Sequence, residues 1–115
     1  MSDRWVTEMI NDPVLTRFCQ EALPAIRAAF SPEKVLVFGS RVRGRAHADS
    51  DIDTIIIAEA FRGIPFVNRA AFVMRSAKFD RHVAYLCYTP DEYERTKNRS
   101  IILRDAAAYA VDVTG

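Results

Sequence analysis

The stretch Val37–Ile57, VFGSRVRGRAHADSDIDTIII, sets the frame for the rest of the chain. Its first residues close a β-branched run, Lys34–Phe38 (KVLVF), which has no polar alternation and is predicted as a strand covered on both faces. Gly39-Ser40 ends that strand abruptly. Ser40 is placed to cap a short helix over Arg41 to Arg43, Gly44 stops it, and Arg45 to Ser50 reads as a polar loop. Asp51 to Ala58 (DIDTIIIA) follows as a second strand, with acids at its start and an isoleucine run behind them. Because the side-chain period of a strand is two, Asp51 and Asp53 share a face with Cα atoms roughly 6.5–7 Å apart. Two carboxylates so placed can share a hard cation, and Mg²⁺ suits a site completed by water and phosphate oxygens. Taken alone such a pair is more often a strand-edge cap. The odds change because a glycine and a serine stand at a strand-to-helix junction ten residues earlier. Glycine admits a phosphate close to the backbone, free amides at a helix start bind anions, and the hydroxyl adds a hydrogen bond. A phosphate cradle beside a metal site implies a metal-bound nucleoside triphosphate.

Working outward, apolar residues recur from Pro13 to Phe30 at Val14, Leu15, Phe18, Cys19, Ala22, Leu23 and Ile26. This is the spacing of one helical face, with Asp12 as N-cap, Pro13 at the first position, and Pro24 placed to kink or divide the helix. Val67, Ala70, Ala71, Met74 and Ala77 mark a second amphipathic helix, and His82 to Tyr88 (HVAYLCY) a third strand. Thr89-Pro90-Asp91-Glu92 resembles a helix start; Ser100 caps a last helix over Ile101 to Ala110; and Val111 to Val113 is an edge-strand candidate. The expected fold is α/β (α+β), a mixed three- or four-stranded sheet with flanking helices, as a single domain over residues 1–115.

With 115 residues, half of them hydrophobic, the chain can bury a core without disulfides or a structural metal. Sixteen Lys and Arg against fifteen Asp and Glu exclude wrapping a polyanion by bulk charge, so any nucleotide contact must be local. Cys19 and Cys87 match neither a zinc cluster nor a disulfide framework and are expected as buried thiols. Asp3, Arg4, Glu8 and Asp12 interrupt the N-terminal apolar residues, and no run reaches membrane-spanning length, so a cytoplasmic location without membrane contact is expected.

The motif resembles that of the minimal nucleotidyltransferases of the DNA polymerase β superfamily, relatives of the aminoglycoside nucleotidyltransferases. Gly39, Ser40, Gly44, Ser50, Asp51 and Asp53 match its glycine-serine, second glycine, and serine before Asp-x-Asp, with Arg41 between. The likeness extends to the KVLVFGS strand and its preceding helix, the YTPDEYE segment and the C-terminal helix. It implies that Asp51 and Asp53 hold Mg²⁺, that Gly39, Ser40, Arg41 and Ser50 bind the nucleotide, and that a nucleoside monophosphate passes from a triphosphate, expected to be ATP, to a hydroxyl of a protein, RNA or small molecule. Similar minimal domains pair with helical HEPN-domain proteins, which makes a catalytically weak, antitoxin-like partner the rival reading; a homodimer is the other assembly considered.

The resemblance further implies a third carboxylate about five residues before the Thr-Pro, where this chain has Ala84. The nearest acid, Asp80, is carried as the third catalytic candidate. It shares a face with position 84 but lies roughly 13 Å away in an unchanged register. Either the strand slips or the ligand is missing. Arg43 and Arg45 could also stabilise triphosphate charge, whereas His47, Asp49 and His82 read more simply as loop or structural residues. Arg62, Arg69, Arg75, Lys78 and Arg81 make the middle helix basic, which most simply marks a solvent face, and the tyrosines read as packing residues.

Overall fold

The computed structural model describes residues 12–44 and 50–114. Helix α1 (Pro13–Glu21) starts where the Asp12 carboxylate accepts hydrogen bonds from the Val14 and Leu15 amides, at 2.8 and 3.1 Å. Helix α2 (Leu23–Phe30) follows at once. The expected single helix is therefore divided at Ala22, because Pro24 has no amide hydrogen and its ring collides with the carbonyl four residues back. Next come strands β1 (Lys34–Phe38) and β2 (Ile52–Ile57), a 3₁₀ turn at Glu59–Phe61, helix α3 (Phe66–Ser76) and strand β3 (Val83–Tyr88). Helix α4 (Pro90–Thr96), helix α5 (Ile101–Tyr109) and the short strand β4 (Val111–Asp112) complete the order.

The sheet is four-stranded in the order β3-β2-β1-β4, with β2 parallel to β3 and β1 antiparallel to β2 and β4. Alternation assigns its two faces. Val35, Val37, Ile52, Ile56, Val83, Tyr85 and Cys87 pack beneath α1, α2 and α3 in one core. Ile55 and Ile57, with Leu36, Phe38, Leu86 and Tyr88, pack against Leu103 and Ala106 of α5 and Tyr93 of α4 in a second, smaller one. Asp53 and Ala84 belong to this second face by the same alternation. Cys19 and Cys87 are buried thiols, and burial pushes the Cys87 thiol up to about 12. Among the described residues, no helix is long and apolar enough to cross a membrane.

Arg69 departs from the expected solvent face. It is buried, donating to the carbonyls of Ile64 and Cys87 and pairing with Glu92 at 2.6 Å. Glu92 in turn accepts from the Thr89 amide and closes the capping box of α4, so one arginine ties α3, β3 and α4 together.

Candidate active site

β1 ends at Phe38, whose ladder partner is Asp53, so the chain turns at Gly39 directly beside that carboxylate. Gly39 has φ +87°, and a Cβ there would lie 2.1 Å from Asp53 Oδ2. The glycine is thus required by Asp53 itself as well as by any phosphate. The following segment is a single turn, closed by Arg43 N donating to Gly39 O at 3.1 Å, in place of the short helix expected over Arg41 to Arg43. Without a helix behind it, the turn lacks a macrodipole to draw an anion. The Gly39 amide is also committed: it donates to Tyr109 Oη at 3.0 Å. Phosphate contact at this turn would therefore fall to Ser40 and the amides after it.

Arg41 is buried. Its guanidinium is turned inward, with its side chain 4% exposed, donating to the Ser50 carbonyl at 2.9 Å and pairing with Asp12 at 3.1 Å. This arrangement braces the return of the loop at Ser50 against the start of α1. Arg45, His47 and Asp49 lie outside the described residues.

Asp51 precedes the first ladder residue of β2, with Oδ2 3.3 Å from His82 Nδ1. Asp53 is half-buried, and its carboxyl is raised above the usual range, first by burial, then by the charge of Asp51, with His82 opposing. Asp53 is thus a carboxylate whose ionisation a cation would favour. Among the described residues, no group of three or more His, Cys, Asp or Glu is arranged to hold a metal. A pair of hard oxygen donors completed by water and phosphate fits Mg²⁺, which keeps several waters and takes few protein ligands.

The parallel register places Ala84 opposite Asp53. No slip has occurred. Asp80 is not brought to the pair: it precedes β3, is mostly exposed, and is held by Arg17 at 3.1 Å, an arginine that also pairs with Glu21 of α1. The ladder that fixes Ala84 beside Asp53 leaves Asp80 before the start of β3, in its ion pair with Arg17.

Where an acid would have stood there is a cleft of about 500 Å³, lined by Phe38, Asp53, Ala84, Leu86, Ile101, Ile102 and Asp105. At its rim Arg43 pairs with Asp105 at 3.0 Å and lies over the Tyr109 ring, 3.8 Å from its centroid. Sequence reasoning missed Asp105 and took Tyr109 as packing. Their i, i+4 spacing was visible, but not the turn that they meet.

The family model for the nucleotidyltransferase domain matches residues 19–109. No curated protein matches significantly. Among solved structures, a presumed nucleotidyltransferase from Sulfolobus solfataricus is similar in fold, with a TM-score of 0.55 and 24% identity over 84% of this chain and 79% of that one.

Proposed function

The chain belongs to the nucleotidyltransferase domain family, and from that premise we propose that it transfers a nucleoside monophosphate from a triphosphate, expected to be ATP, to a hydroxyl on a protein, RNA or small-molecule acceptor. The observation that carries this reading is the seating of Asp53 against Gly39, which joins the turn after β1 to the Asp51–Asp53 pair in one constellation. Asp51 and Asp53 would hold a divalent metal, expected to be Mg²⁺, which when bound stabilises charge on the attacking and leaving oxygens. Ser40, the amides after it, and Arg43 would hold the outer phosphates, with Ser50 at the loop's return beside the aspartates. The test is incubation with α-phosphate-labelled triphosphates, Mg²⁺, and RNA or a HEPN-domain protein as acceptor. Label on an acceptor that is lost in Asp53→Asn supports the reading; no label with any acceptor rejects transfer.

A second reading has its own observation. Ala84 leaves the acceptor side of Asp53 without a further carboxylate from the sheet, which favours a nucleotide-binding, antitoxin-like partner of a HEPN-type protein in which transfer is weak. Ala84→Asp separates the two readings, because added transfer in that variant marks the wild type as short of a ligand.

A further inference from the structure

Asp105 has no place in the proposal above, yet it faces the cleft that holds Asp53 and is ion-paired to the arginine that closes the turn after β1. Arg43 reaches this position by two backbone and ring contacts. Its amide donates to Gly39 O, and its guanidinium stacks on Tyr109, whose hydroxyl accepts the Gly39 amide hydrogen. Turn, tyrosine, arginine and aspartate therefore form one closed circuit between the turn and α5. With Arg41 committed to Asp12 and Ser50, Arg43 is, among the described residues, the cation that the turn itself offers to a triphosphate.

We propose that Asp105 is a positioning residue that holds Arg43 parked on α5, so that a triphosphate must displace the Asp105 carboxylate to engage the arginine, and that Asp105 thereby sets the affinity for triphosphates over monophosphates. The inference rests on the nucleotide-binding reading of the site. The exchange is favourable in direction. The parked pair is solvent-exposed, with side chains 37% and 57% accessible, and such pairs are weak. The guanidinium bond to a multiply charged phosphate is stronger. Tyr109 keeps the guanidinium at the turn while its hydrogen-bond partner changes.

The experiment is calorimetric titration of Mg²⁺·ATP and of AMP into wild type, Asp105→Asn, Arg43→Gln and the double variant, with melting curves to show that each is folded. Asp105→Asn should bind ATP about two- to fivefold more tightly, the equilibrium value of an exposed ion pair, with AMP unchanged. Arg43→Gln should bind ATP more weakly, and adding Asp105→Asn to it should change nothing further. Tightening that persists in the Arg43→Gln background would show simple repulsion by Asp105 and overturn the parking role, as would unchanged or weaker ATP binding in Asp105→Asn. If wild type binds no Mg²⁺·ATP at all, the nucleotide reading fails and this inference falls with it. If wild type binds Mg²⁺·ATP and both Asp105→Asn and Arg43→Gln bind it with the wild-type affinity, the reading stands and the inference alone fails.

Discussion

At position 39 two demands meet: a positive φ and a carboxylate oxygen where a side chain would begin. Gly39→Ala should therefore cost about 1–3 kcal/mol by backbone strain and forced movement of Asp53. The melting temperature should fall, and nucleotide binding should be lost along with it; an unchanged melting curve would contradict this packing. Asp53 supplies a pH prediction with a definite sign. Its folded-state carboxyl is raised, so the folded protein binds more protons than the unfolded chain between the two values, and stability falls as pH rises through that window. Asp53→Asn should then melt higher than wild type at neutral pH, and the difference should close as pH drops below the ordinary carboxylate range. Thr54 offers a further residue-scale test. It is fully buried on the face covered by α1, α2 and α3, and among the described residues its hydroxyl is without a hydrogen-bond partner. Thr54→Val keeps the shape and removes the orphan, and should stabilise by about 1 kcal/mol in denaturant titration.

Among the elements, the junction of α3, β3 and α4 depends on Arg69 and Glu92. Arg69→Met should cost about 2–4 kcal/mol, because the half-buried Glu92 carboxylate and two backbone carbonyls lose their donor. The Arg69 guanidinium holds the Glu92 carboxyl down at about 2, so its contribution is full above the ordinary glutamate range and is lost as pH falls from there towards 2. In Arg69→Met that acid-sensitive component should be missing from the stability profile. The strand ladder gives a different test. Since Ala84 stands opposite Asp53, Ala84→Asp should tighten Mn²⁺ or Mg²⁺ binding while lowering the stability of the metal-free protein through added repulsion. Metal affinity no higher than wild type would show that position 84 does not reach the ion.

For the whole molecule, much of the fold followed from short-range signals. The apolar spacing of α1, the KVLVF and IDTIII runs, and the Asp12, Thr89 and Ser100 caps each depend on residues within a turn or two, and each is where expected, whereas the face expected for α3 is not: Val67, Ala71 and Met74 stand exposed, and Arg69 and Val73 are buried in their place. The Gly39-to-Asp53 constellation was legible for the same reason, since one hairpin-like connection carries all of it. What sequence could not give were the choices made between distant segments. Arg41 and Arg43 look alike in the chain, but one meets Asp12 and turns inward while the other meets Asp105 and stays at the cleft. Arg69 reads as one of several solvent-facing cations until Glu92 arrives from the next element. Asp80 could replace a missing acid only if β3 had slipped, and the register of β3 is fixed by Val83, Tyr85 and Cys87 facing the helices. The central claim, that Asp51 and Asp53 hold a metal-bound triphosphate against the Gly39-Ser40 turn, is tested most directly by titrating ATP into the wild-type protein and the Asp51→Asn/Asp53→Asn variant, with Mg²⁺ and with chelator. The account predicts saturable binding by wild type in Mg²⁺ alone, lost in the folded double variant; equal affinity in the two proteins, or binding indifferent to chelator, would contradict it.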